Sequence, residues 1–184
     1  MYSTVVSRQQ EDVEKSTKKS AIFSSSITRD IRADDFNNDY NGERAFFHKY
    51  HGGKVRHIKS YIPVHMNEEK PDNAVIVAGG NDICTWKSTT LEVANDIIEA
   101  GVICKREGAL KVFISSILPR TDLYYLRRRN EINKLLVNLC DVNGFNFINN
   151  DNINIREHIF DDGVHLNKAG SKLLRDNLLA HLNA

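Results

Sequence analysis

The residues of this sequence best suited to chemistry lie near its C-terminal end, in Asp161-Asp162-Gly163-Val164-His165-Leu166-Asn167. Asp162 and His165 stand three residues apart with a glycine between them, so one turn can deliver a carboxylate and an imidazole together. Such a pair serves a nucleophilic hydroxyl. The imidazole takes the hydroxyl proton, and the carboxylate holds the imidazole in one tautomer and one orientation. An Asp and a His on one surface loop are also a common coincidence. The pair acquires meaning only if other stretches supply a nucleophile and donors for a developing oxyanion. Three stretches have the residue types for this. Ser24-Ser25-Ser26-Ile27-Thr28 reads either as a turn that caps a helix or as a strand-to-helix turn that exposes a hydroxyl. His51-Gly52-Gly53 offers backbone N–H groups, and Gly79-Gly80-Asn81-Asp82 adds a side-chain amide that donates without needing a particular protonation state. Asp82 reads as a structural cap or loop acceptor rather than a catalytic acid.

These stretches need strands and helices to position them. Ala21-Ile22-Phe23 is a short apolar run expected to form a buried strand, and Ala45 to Tyr50 is a second candidate. Residues 32–44 carry Asp34, Asp35, Asn37, Asn38, Asp39, Asn41 and Gly42, a composition that predicts loop. Val55, Ile58, Ile62 and Met66 recur at helical spacing, with Pro63 an oddity inside the run. Asn73 to Ala78 is continuous and β-branched, as in a central parallel strand covered on both faces. Leu91, Ala94, Ile97, Ile98, Gly101 and Val102 mark an amphipathic helix; Lys111 to Ile117 marks a further strand. A long helix follows through Leu123, Leu126, Ile132, Leu135, Leu136 and Leu139. Phe145 to Ile148 reads as a last short strand, and Leu173, Leu174, Leu178 and Leu182 as the face of a C-terminal helix. Strand and helix alternate about five times, which predicts a three-layer α/β/α doubly wound fold with a parallel, flavodoxin-like five-stranded sheet. Ligands of such sheets bind beyond the carboxyl ends of the strands, and the serine, glycine and Asn81 stretches each follow a predicted strand.

Composition narrows the reading further. A chain of 184 residues suits one domain, taken as residues 20–184, behind a polar tail or linker over residues 1–19. The formal charge of +1 gives no global reason for a nucleic-acid or membrane partner. Local basic stretches exist: Lys49, Lys54, Arg56 and Lys59 with His48, His51 and His57, and Arg127 to Arg129. They read first as solvated faces, and nucleic acid is the less favoured partner beside a small-molecule substrate. Arg29 and Arg120 fall where a pocket rim is expected, and Trp86, Tyr124 and Tyr125 are candidates for pocket lining or core. Cys84, Cys104 and Cys140 are odd in number and form no CxxC pair, against a disulfide scaffold or structural zinc; Cys104 and Cys140 fit buried thiols. The histidines show no HxxxH or HExxH spacing, so no metal site and no cofactor is expected. No apolar run approaches a membrane span and the N-terminus lacks a signal-like apolar core, so an intracellular, cytoplasmic protein is the expectation.

Gly79-Gly80-Asn81-Asp82 after an apolar strand resembles the Gly-x-Asn-Asp block of the SGNH (GDSL-type) hydrolase and esterase superfamily, and Asp162-Gly163-Val164-His165-Leu166-Asn167 is similar to its terminal Asp-x-x-His block. The resemblance covers about residues 20 to 184. It places Ser26 at the nucleophile position, with Ser24 and Ser25 standing where the family has Gly and Asp. Gly52 best fits the family's second-block glycine, with Gly53 beside it. The resemblance implies a metal-independent serine esterase in which Ser26 attacks, His165 moves the proton and Asp162 orients His165. The oxyanion hole it implies consists of the N–H groups of Ser26 and Gly52 and the amide of Asn81. As the alternative reading, it allows a catalytically weak or inactive binding module on the same fold, of the kind that binds nucleic acid within a larger or mobile-element-derived protein.

Overall fold

The computed structural model describes residues 17–84 and 87–184. Most of the expected tail, and Trp86, lie outside the described residues; Lys19 already belongs to the first strand. Five strands, β1 Lys19–Ser25, β2 Arg44–Tyr50, β3 Asn73–Val77, β4 Lys111–Ser115 and β5 Asn146–Ile148, form one parallel sheet in the order β2-β1-β3-β4-β5. Side chains alternate between its faces, as the two-residue period of a strand dictates. Ala21, Phe23, Ala74, Ile76, Val112 and Ile114 pack into one layer with α2 Val55–Glu69, α4 Thr90–Arg106 and α5 Leu123–Asn143. Ile22, Val75, Val77 and Phe113 pack into the other with α1 Ala33–Asp39 and α7 Lys168–Leu182. Two short helices, α3 Gly80–Ile83 and α6 Ile155–His158, lie in the connections after β3 and β5. The expected three-layer fold is the observed one.

Both sheet faces being covered explains why the strands read as apolar runs rather than alternations. The exceptions are satisfied: the Ser20 hydroxyl is 2.7 Å from the Tyr40 hydroxyl, and the Asn73 amide donates to Ser20 Oγ at 3.3 Å. Helix starts follow their caps. Thr89 Oγ1 accepts from the Glu92 N–H while Glu92 accepts from the Thr89 N–H; Asp122 and Asn167 accept from the N–H groups of Tyr125 and Gly170. Pro63 lies inside α2, where it leaves one carbonyl without its helical donor, yet the helix runs on to Glu69. Where β3 turns into α3, Gly79 has φ +104°, and a Cβ there would come within 2.7 Å of Ile97 and 2.8 Å of Ile117.

One expectation about secondary structure fails. Residues 33–39, read as loop from their Asp and Asn content, form α1. The helix is held by contacts that composition does not reveal. Phe36 is fully buried, with its ring edge-on to Phe47 at 5.0 Å. The Asn37 side chain pairs with the backbone of Ala45 in both directions, accepting from its N–H at 2.7 Å and donating to its carbonyl at 3.1 Å. Tertiary docking thus overrides weak helix formers. Replacing Phe36 by Ala should therefore lower unfolding free energy by about 3–5 kcal/mol in a urea titration; a loss under ~1 kcal/mol would mean that α1 is not packed this way.

Candidate active site

The first of the four stretches continues β1. Ser26–Thr28 is a single 3-10 turn closed by the Arg29 N–H donating to the Ser26 carbonyl at 3.0 Å. Ser24 is still in β1, with its buried hydroxyl 2.5 Å from that of Thr28, and Ser25 is extended at φ −76°. Ser26 is half-buried, and its hydroxyl makes no hydrogen bond among the described residues.

The turn after β2 separates the two glycines. The Gly53 N–H donates to the Tyr50 carbonyl at 2.9 Å, and a Cβ at Gly53 would press on Tyr50 at 2.7 Å. Gly52 has φ +66°, is exposed, and its N–H has no acceptor among the described residues. Of the two, Gly52 is the one with a donor to offer.

Asn81 links this turn to others. Its amide nitrogen donates to the Gly53 carbonyl at 3.1 Å, while its oxygen accepts from Arg120 Nη2 at 2.9 Å. The guanidinium can only donate, so it fixes the amide oxygen towards itself and the NH2 group away. Arg120 in turn lies over the Tyr125 ring at 4.9 Å and donates to Cys84 Sγ at 3.3 Å. Burial pushes the Tyr125 phenol up to about 12, and its hydroxyl donates to the Leu118 carbonyl at 3.0 Å. Asp82 accepts from the Val55 N–H at 3.2 Å, capping α2 from a neighbouring loop; burial raises its pKa.

The Asp162–His165 pair is formed. His165 Nδ1 is 2.7 Å from Asp162 Oδ2, and Asp162 Oδ1 accepts from the N–H groups of Val164 at 2.8 Å and His165 at 2.9 Å. With a carboxylate at Nδ1, that nitrogen carries the proton and Nε2 keeps its lone pair, the state that accepts a proton from a hydroxyl. The turn is held from outside: the Thr121 N–H donates to the Gly163 carbonyl and the Phe160 N–H to that of His165. Gly163 has φ +70°, and a Cβ there would lie 2.1 Å from the Thr121 hydroxyl. A continuous path therefore runs from Gly53 through Asn81 and Arg120 to Thr121 and the Asp162–His165 turn. No hydrogen bond joins Ser26 to His165 among the described residues. The two turns flank the same pair of side chains: Arg120 and Tyr125 line a cleft of about 20 Å³ with Ser25, Ile27 and Gly80, and one of about 470 Å³ with Cys84, Tyr124, Asp162 and Gly163.

The basic stretches are largely committed to the protein itself. Lys59 bridges Asp96 at 2.7 Å and Glu99 at 2.6 Å, and Lys49 Nζ donates to the Ile31 carbonyl at 2.6 Å. Arg128 is buried and donates to the carbonyls of Ile83 and Ser88; Arg129 donates to that of Ile117 and pairs with Asp151. Cys104 and Cys140 are buried thiols, as expected, with pKa values pushed up to about 12. No helix among the described residues is long and apolar enough to cross a membrane.

No family model matches the chain, and no curated protein does. Solved structures do. A GDSL-like lipase from Bacteroides thetaiotaomicron matches with a TM-score of 0.77 at 18% identity, over 90% of this chain and 88% of that one. A lipase/acylhydrolase from Enterococcus faecalis gives 0.74 at 18%, over 90% and 95%. A catalytic mutant of an acetylxylan esterase from Geobacillus stearothermophilus gives 0.76 at 14%, over 91% and 94%. The chain has the SGNH hydrolase fold. The four stretches picked out by residue type lie in the loops of one sheet edge, joined there by Arg120, which the sequence placed only at a rim: its contact with Asn81 spans 39 residues and leaves no local pattern.

The electrostatics of the Asp162–His165 pair can be measured directly. The backbone N–H of His165, then its ring and the Val164 N–H, hold the Asp162 carboxyl well below the usual carboxylate range. A depressed pKa means that the folded state binds fewer protons than the unfolded one. The resulting stability is present above the ordinary aspartate range and is lost as pH falls through the lowered value. A carbon-13 titration should find Asp162 still ionised at pH ~3.9, where an unperturbed aspartate is half protonated; half-protonation there would show that the turn is not closed in solution.

Proposed function

We propose that the protein is a serine esterase that cleaves acyl or acetyl esters through a covalent acyl-enzyme. The observation that carries the reading is the hydrogen-bonded path that ties the Gly52–Gly53 turn, Asn81, Arg120 and the Asp162–His165 dyad into one edge. The chemistry follows from the groups. Ser26 Oγ attacks the ester carbonyl carbon as its proton passes to His165 Nε2. The carbonyl oxygen becomes an oxyanion and accepts from the N–H groups of Ser26 and Gly52 and from the Asn81 amide. Arg120, by holding the Asn81 oxygen, keeps the NH2 group turned to the oxyanion and polarises it. Collapse breaks the ester C–O bond, and the alcohol leaves with the proton from His165. Water then attacks the acyl-serine, giving its proton to the same nitrogen; the acyl–Oγ bond breaks, that proton passes to Ser26 Oγ, and the acid leaves. No cofactor enters any step. The similar structures include lipases and acylhydrolases, which supports an ester substrate, and acetylxylan esterases, which supports a small acyl group. The ~470 Å³ cleft beside the dyad has room for such a group.

The test is hydrolysis of p-nitrophenyl acetate. Ser26→Ala should abolish turnover with the circular dichroism spectrum intact, while Ser24→Ala and Ser25→Ala keep most of it. Unchanged activity in Ser26→Ala would remove Ser26 as nucleophile. Asn81→Ala should lower kcat by about 100-fold with a smaller change in KM, because its donor acts in the transition state. An effect confined to KM would make Asn81 a ground-state binding group only.

A further inference from the structure

A second cluster of reactive side chains lies on the α2 face of the sheet, with no part in the steps above. His48 comes from β2, and His65 and Glu69 from α2. The i,i+4 spacing of the last two puts them on one helix face, one turn apart. His48 Nε2 is 2.9 Å from Glu69 Oε2. The His48 and His65 rings stack at 3.7 Å, and the fully buried Phe23 ring lies 5.1 Å from His48 and 6.4 Å from His65. All three residues are half-buried, and one ligand atom from each lies within 4.8 Å of the others. Beyond them, Glu68 Oε2 stands 3.8 Å from His65 Nδ1. Nε2 of His65 has no hydrogen-bond partner among the described residues.

A purely structural role leaves this arrangement half explained. One hydrogen bond satisfies His48 and Glu69, but the second imidazole is held against the first with one nitrogen unused, and a carboxylate stands behind its other nitrogen. Two imidazoles and a carboxylate are the donor set of three-ligand zinc sites, with a carboxylate orienting a ligating ring from outside. Bonds of about 2.0–2.1 Å in a tetrahedral shell put ligand atoms ~3.3 Å apart, which side-chain rotation can reach from the observed spacing.

We propose that His48, His65 and Glu69 form a binding site for a divalent transition ion of the zinc type, with Glu68 orienting His65 and water in the fourth position. The ion would clamp β2 to α2, the two elements joined by the turn that carries Gly52. Metal here has no part in ester cleavage, so the proposal stands or falls apart from the catalytic one.

Chelator-stripped protein should take up one equivalent of Zn²⁺ in a calorimetric titration and melt at a higher temperature with the ion bound. His65→Gln and Glu69→Gln should each weaken binding about 10-fold or more, since even outer contacts to a metal site are worth that much. Both should remove the visible absorption that Co²⁺ gains on binding the wild type. Glu69→Gln preserves shape and a hydrogen bond to His48, so its loss of metal binding with an unchanged metal-free melting temperature separates ligation from folding. A Cys84→Ser, His165→Gln variant, which removes a thiol and an imidazole from the catalytic edge, should bind as the wild type does. Wild-type protein that takes up no zinc, or that binds it no more tightly than His65→Gln, would overturn the proposal.

Discussion

β1 is covered on both faces and hydrogen-bonded along both edges, and the functional edge depends on that confinement. It pairs with β2 over seven positions and with β3 over five, and Ala21, Ile22 and Phe23 are fully buried. Ser26 begins where this ladder stops. The serine cannot move relative to the turns after β2 and β3 unless ladder hydrogen bonds break or buried side chains meet water. Because the strands are parallel, every strand ends at the same edge, and each connection must leave from it. The sheet thus places the loops before any side chain in them makes a contact.

The loops then fix one another. The third-strand loop supports the second from two sides: Asn81 takes the Gly53 carbonyl, and Asp82 takes the Val55 N–H at the start of α2. Each contact satisfies a backbone group that a turn or a helix start leaves open. Arg120 performs the same service for Asn81, from a loop whose next residue, Thr121, holds the turn of the dyad. Rigidity at this edge is therefore shared by four connections, with Asn81 and Arg120 binding one to the next.

Much of this was legible in the residues. Continuous β-branched runs such as Asn73 to Ala78 announced buried parallel strands, and Asp162-Gly163-Val164-His165 announced a dyad that the structure forms at 2.7 Å. What stayed hidden needed information from elsewhere in the chain. α1 is written in residues that favour loops, and only Phe36 and Asn37, through contacts with β2, make it a helix. Arg128 reads as part of a solvated Arg127–Arg129 cluster, yet it lies on the buried face of α5 with Tyr125, Ile132 and Leu136. The histidine and glutamate cluster escaped a search by spacing because one of its members sits on a strand and two on a helix.

Gly79 sets a limit of a different kind, on the routes open to mutation. Its left-handed backbone could be met by an asparagine, and the crowding at its Cβ by a smaller side chain at Ile97 or Ile117. A single replacement cannot meet both needs, because any new side chain brings the crowding at its Cβ whatever its backbone preference. Leaving glycine takes several coordinated changes, and each of them alone is harmful. A chain with this fold can share 14% of its residues with this one. The turn out of β3 is a place where drift has almost nowhere to go.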